Sequence, residues 1–503
     1  MEIKLLILLF YFGILFSIGW WSSKKIKDIK DYFVGGKKLG YWVVAFSTRA
    51  TGESAWLLLG LTGLGAVAGI SAFWVVIGEV LGVSIAWMCM AKKFKRITDK
   101  YNSITIPDYL VNRFKSKNND IRILSSIFLS FFIIIYVSAQ IDATGSAFEA
   151  FLGWNYFLGA VVGYSIVLLY VIFGGFVAVA WSDLIQGSLM FLALCFLPII
   201  GYYFLSHKVP FWESIATIDP GLISIWGQGG FNSVNIATII GYLCIGLAFL
   251  GSPQIFVRFM SIKNENQIEK GKWVAIFFTL ITDSAAVMIG ILARYFFTDI
   301  GSDVESILGN NGQNSLILMV EYLLPTVFVG IYMAVVLAAI MSTVDSLLVL
   351  ASSSIVIDIY QKIMNPKIDI KDLTGISRFT TFIMASIALI VAISVAISTP
   401  ERTIFWFVLV GFHGIAASFC PTIILSLFWK GFTEKGAISS MIVGFLGVLF
   451  FKFVMPKFDS VGIYFDKVAE LAPALLLGLL TGYIVSIIYP NKELEDEFKK
   501  ISK

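Results

Sequence analysis

Apolar residues run along this chain in long blocks, separated by short stretches that carry charge, Gly or Pro. Crossing the hydrocarbon core of a bilayer takes about 20 such residues in a helix. Between its charged breaks the chain offers thirteen blocks of that order: 3–22, 41–68, 70–91, 121–151, 156–177, 184–206, 233–255, 273–297, 330–357, 376–398, 402–429, 436–455 and 470–489. The roughly ten-residue alternation of a transmembrane β-strand is absent. The pattern predicts an all-α polytopic membrane protein with about 13 transmembrane helices. A further apolar stretch at 313–328 reads as a surface or re-entrant helix.

Composition agrees with the pattern: 58% of residues are hydrophobic and 14% charged, whereas soluble domains carry about 25% charged residues. The first 22 residues lack a small-residue cleavage site and read as a retained span. Positive charge sets the orientation. One set of loops (23–40, 92–120, 258–272, 358–378, 430–435 and the tail) holds 28 Lys/Arg, and the opposite set holds five, including Lys208. The N-terminus is therefore expected outside and the C-terminus in the cytoplasm of a cell (inner) membrane. Four scattered cysteines and two histidines, His207 and His413, suggest neither a disulfide framework nor a zinc site. Without a phosphate-binding loop or a nucleophile–base pattern the chain reads as no enzyme, and nothing points to nucleic acid.

Charges inside spans are functional candidates by default. They are Arg49, Glu53, Glu79, Asp142, Asp183, Asp283, Arg294 and Asp345. Asp142, Asp283 and Arg294 are expected near helix ends, on water-filled faces or in a structural pair. The second span reads STRATGESAW, where Gly52 is expected to interrupt the helix. The seventh carries Gly241, Gly246, Gly251 and Pro253. Two interrupted spans, each opening a five-helix block, fit the inverted repeats of secondary transporters. In the ninth span Ala339, Ser342, Thr343 and Ser346 share one helical face. Two hydroxyls one turn apart beside a freed carbonyl suit a small hard cation such as sodium, and Asp345 lies close by. Arg49 and Glu53 stand at i, i+4 and pair if the helix continues between them. If Gly52 breaks it, Arg49 is left for Glu79 or for a substrate carboxylate.

The stretches WLLLGLTG (56–63), SITIPDYLVNRF (103–114), FGGFVAVAWSDLIQGSLM (173–190), GSPQIFVRFM (251–260) and LAAIMSTVDSLLV (337–349) together resemble the sodium/solute symporter family, closest to its sodium/proline symporter-like branch. The resemblance implies a leucine-transporter-like core of two inverted five-helix repeats, working by alternating access. The segments would be an extra span and loop (1–40), a first repeat (41–206), an external loop (207–232), a second repeat (233–429), two C-terminal spans (430–489) and a tail (490–503). It also implies a sodium site from carbonyls of Ala50, Glu53 and Ala339 with the hydroxyls of Ser342 and Thr343. A second sodium site would use Asp183, Ser342, Asp345 and Ser346, so one or two Na+ would be coupled. The solute is expected among Thr48, Arg49, Thr51, Ser54, Trp56, Phe73, Glu79, Gln140 and Phe249. Proline or another amino acid leads; a sugar, sialate or carboxylate follows, and a transporter-like membrane sensor is the alternative of another class. Besides the solute and the lipid bilayer no partner is implied, and the chain is expected to work as a monomer. Three positions depart from the sodium/proline pattern: Gly52 replaces an aspartate, Phe249 a more polar aromatic, and Glu79 an apolar residue.

Overall fold

In the computed structural model, residues 2–24, 29–205, 210–368 and 370–502 are described. Lys25, Lys27, His207 and Lys208 lie outside them, as do residue 206 and the first residues of the external loop. The described chain is helical apart from turns and one isolated bridge between Leu39 and Ile262.

The helices used below are α1 (Glu2–Ser23), α2 (Tyr41–Ala55), α3 (Thr62–Ala68), α4 (Phe73–Ile85), α5 (Asp120–Leu152), α6 (Tyr156–Tyr203), α7 (Ser233–Cys244), α8 (Pro253–Ser261) and α9 (Glu265–Phe297). They continue with α10 (Thr326–Ser353), α11 (Ile370–Ser398), α12 (Ile404–Phe428), α13 (Glu434–Phe453), α14 (Leu471–Ile488) and α15 (Lys492–Ser502). Among the described residues, eleven helical stretches are long and apolar enough to cross a membrane. One of them, Tyr41–Lys100, has 60 residues, or about 90 Å at 1.5 Å per residue, three times the bilayer core. It turns at Gly69, whose φ of 60° ends α3, so it contains two of the expected spans. A shorter apolar helix, Tyr156–Leu169, matches another.

Large apolar side chains such as Phe379, Phe382, Ile387 and Ile390 on α11 are exposed, a surface that water does not tolerate at this scale. This is a multi-pass membrane protein. By contrast α10 and α12 sit at the centre, each with 83% of its most apolar window buried. Small and hydroxyl-bearing residues let these two be enclosed on all sides.

Three breaks shape the interior. The first overturns an expectation: α2 stays helical through Gly52, and the break falls at Ser54 (φ 41°, ψ −161°), followed by a π-helical turn over Trp56–Leu61. Gly52 is instead a site of close approach, since a Cβ there would lie 2.9 Å from the Phe249 ring. The second break follows the sequence: α7 tightens into a 3₁₀ turn at Ile245–Leu250, and α8 starts afresh with Pro253 in its first turn. The third corrects a boundary. Spans 156–177 and 184–206 are not separated by a loop at 178–183; the helix breaks at Gly175 (φ 54°) and runs on through Asp183. At 313–328 a helix does form, over Ser315–Leu323.

The tail docks rather than dangling. Tyr101 Oη donates to Glu497 Oε1 at 2.5 Å, Lys115 Nζ lies 2.5 Å from Glu497 Oε2, and the Arg113 guanidinium sits 4.9 Å from the Phe498 ring.

Candidate transport site

Helix α10 packs along α2 with its hydroxyl face inward. Ser342 Oγ lies 3.0 Å from both Ala50 O and Ala339 O. Thr343 Oγ1 lies 3.1 Å from Thr51 O and 3.3 Å from Ala339 O. The structure thus gathers Ala50, Ala339, Ser342 and Thr343, and adds Thr51. The Glu53 carbonyl instead accepts the Trp56 N–H just past the break. Five hard oxygens from two helices converge there. That donor set suits a sodium ion.

The second predicted group is already engaged by a cation belonging to the protein. Arg258 Nη2 donates to Asp183 Oδ2 at 2.9 Å and to Thr51 Oγ1 and Ser346 Oγ at 2.5 Å each. Its Nε donates to Ser47 Oγ at 2.7 Å, and Ser47 in turn donates to Asp183 Oδ2 at 2.5 Å. Ser346 bonds back to Ser342 O at 2.7 Å and lies 3.2 Å from Asp345 Oδ1. In the sequence Arg258 counts with the cytoplasmic loop 258–272; the fold buries it to 1% exposure. Its signal was available, because it sits inside the GSPQIFVRFM stretch only five residues after the helix-starting Pro253.

Arg49 and Glu53 do pair, since the helix is continuous between them: Arg49 Nη2 is 2.8 Å from Glu53 Oε1. The same nitrogen reaches Glu79 Oε2 on α4 at 3.2 Å, so the two partners weighed from sequence are both engaged. Thr282 Oγ1 on α9 lies 3.1 Å from Glu53 Oε1 and 3.2 Å from Asp283 Oδ1. Asp283 is therefore no helix-end charge. It lies mid-helix and fully buried, a position the sequence could not assign because its partners come from other helices. Asp142 fits its expected structural pairing, with Arg402 and Tyr156. Arg294 lies in the last turn of α9.

The predicted solute residues divide. Around the Ser54 break, Gln140 Oε1 accepts from the Ala55 N–H at 3.2 Å, and Tyr136 Oη lies 3.4 Å from Ser54 Oγ. Trp56 Nε1 donates to Gly52 O at 2.9 Å. Phe249 packs under the Arg49 guanidinium at 4.9 Å and against Phe412 at 5.6 Å. Three others stand apart. Thr48 spends its hydroxyl on Val44 O and Ala45 O of its own helix. Thr51 faces Ser346 and Arg258, and Phe73 opens α4 beyond the Gly69 turn.

Two helices broken at mid-length, with oxygens and charges gathered at the breaks, define a secondary active transporter. The comparisons with known proteins specify which kind. The description of the sodium:solute symporter family matches residues 32–444, and the chain belongs to that family. Its relatives include the osmoregulated proline transporter OpuE of Bacillus subtilis, 31% identical over 97% of this chain and 95% of that protein. The high-affinity proline transporter PutP of the same organism is 32% identical over 96% and 98%. The sodium/proline symporter of Escherichia coli is 30% identical over 97% and 94%. Among solved structures, a substrate-bound, outward-open Na+-coupled sialic acid symporter superposes with a TM-score of 0.78 at 19% identity, covering 97% of each chain. Mhp1, a nucleobase-cation-symport-1 transporter in a closed conformation, gives 0.51 at 12% identity, over 93% of this chain and 98% of that one. The fold is the leucine-transporter-like one, and the function is sodium-coupled solute symport.

Proposed function

We infer that the chain couples inward movement of sodium to uptake of a small neutral amino acid, with proline first, across the cell membrane. The observation that carries this reading is the cluster of Ala50, Thr51 and Ala339 carbonyls with the Ser342 and Thr343 hydroxyls, which ties α2 to α10. A sodium ion there would hold the two helices together beside the Ser54 break, where Gln140, Trp56 and Phe249 would meet the solute. The names of the relatives support proline. Residues 41–206 and 233–429 serve as the two repeats, the N-terminus faces outward, and one chain suffices.

The stoichiometry we infer is one sodium per solute. The second group of oxygens already holds the Arg258 guanidinium, and a second cation would have to displace it. One charge crossing about 100 mV supplies about 2.3 kcal/mol and a tenfold sodium gradient about 1.4 more, enough for a several-hundred-fold gradient of a neutral solute. The experiment is uptake of radiolabelled proline by proteoliposomes under an imposed sodium gradient. Uptake indifferent to sodium would remove the coupling, and uptake of another amino acid but not proline would move the substrate. A Hill coefficient for sodium near two would restore the second ion.

A further inference from the structure

The symport reading makes no use of the charge cluster Arg49–Glu53–Glu79–Asp283, drawn from three helices. All four side chains are at most 1% exposed. One guanidinium faces three carboxyl groups. Were all ionised, the cluster would carry two uncompensated negative charges out of water, each at a cost of several kcal/mol.

Donors are also too few. Arg49 directs Nε and Nη2 at Glu53 Oε1, and Nη2 also at Glu79 Oε2. The single Thr282 hydroxyl hydrogen is shared among Glu53 Oε1, Asp283 Oδ1, Phe278 O and Thr279 O. Glu53 Oε2, Glu79 Oε1 and Asp283 Oδ2 are buried with no donor among the described residues. Yet the Glu79 and Asp283 carboxyls lie within hydrogen-bond reach of each other. Two acceptor-only carboxylates repel at that range; a carboxyl and a carboxylate sharing one hydrogen attract.

We propose that Glu79 and Asp283 form a proton-binding site, in which one proton bridges the two carboxyls while Arg49 neutralises Glu53. The titratable and charged groups facing the site are Arg49 and Glu53 from α2, Glu79 from α4, Asp283 from α9 and Tyr136 from α5. The proton fastens α4 to α9, and Glu53 carries the linkage to the residue before the Ser54 break. Losing the proton sets two like charges against each other beside that break. The protein therefore takes up one H+ as a ligand separate from the sodium bound between α2 and α10. This inference does not depend on the identity of the solute.

Infrared spectroscopy of the purified full-length protein in lipid nanodiscs tests it, in sodium-free buffer and in buffer with sodium, at neutral pH in H2O and D2O. The expected result is a protonated-carboxyl C=O band that shifts in D2O and persists in sodium. Glu79→Gln and Asp283→Asn should each remove the same part of it, with the double variant removing no more than either. Asp183, Asp345 and Asp358 are other buried carboxyls, so the loss in the variants, rather than the band itself, carries the assignment. A full wild-type band in both folded variants overturns the site. So does a band that appears only when sodium is withdrawn, which would put a sodium ion where the proton is drawn. Should one variant not fold, the other decides; should neither fold, the absence of any such band in the wild-type protein at neutral pH overturns it.

Discussion

Replacing Ser342 by alanine removes one of the five oxygens gathered between α2 and α10. Its Oγ stands 3.0 Å from both Ala50 O and Ala339 O, so an ion seated between those carbonyls would meet the hydroxyl in the same shell. A hydrogen bond or dipole acting on a full charge is worth about 1.5–3 kcal/mol net. The sodium-free protein loses something too, because the hydroxyl bridges the two carbonyls, at about 1 kcal/mol. The difference, about 0.5–2 kcal/mol, corresponds to a rise of about 2- to 30-fold in the sodium concentration needed for half-maximal response. The assay is sodium-dependent proline uptake in proteoliposomes, backed by the sodium-induced change in tryptophan fluorescence. Thr343→Ser keeps its hydroxyl and serves as the control, expected to stay within about twofold of wild type by the same arithmetic. An unchanged half-saturating sodium concentration in Ser342→Ala, with folded protein, would refute the placement of the ion.

Asp183→Asn removes the carboxylate bonded to the buried Arg258 guanidinium, which should cost about 3–5 kcal/mol; thermal unfolding in detergent reads the loss, and an unchanged melting point would show the pair to be dispensable. Gly246→Ala should prevent folding or sharply lower the yield of monodisperse protein, because the added Cβ runs into the Gly78 backbone of α4; a well-folded variant would mean the two helices have room to part. At the tail, burial works against the charge on Glu497, yet hydrogen bonds from Lys115 and Tyr101 hold its carboxyl below the usual range. Docking of α15 is then fully supported above the unfolded carboxyl value and weakens as pH falls through the lower folded one. Limited proteolysis should cut the tail faster in acid, and Glu497→Gln should abolish that pH dependence.

What the sequence determined by itself is the class of protein and the apolar blocks that become its membrane helices. Apolar blocks of bilayer length leave no other fold class open, because a backbone in hydrocarbon must satisfy its own hydrogen bonds. The Ala339–Ser342–Thr343–Ser346 face follows from helical periodicity alone, a local rule that tertiary contacts did not disturb. Pro253 likewise marks the start of α8 from its own chemistry. The tertiary structure decided everything that depends on which helices meet. Gly52 looked like the break because glycine favours one, but its missing side chain is needed for Phe249, and the backbone turns at Ser54 instead. Arg258 read as a loop charge until Asp183, Ser47, Thr51 and Ser346 closed around it from other helices. Asp283 is 30 residues beyond the broken seventh span's Pro253 and 204 beyond Glu79 in the chain, a separation across which no periodicity carries information. Burial turns such groups from solvated charges into a shared site, and burial is a property of the packed bundle rather than of any segment in it.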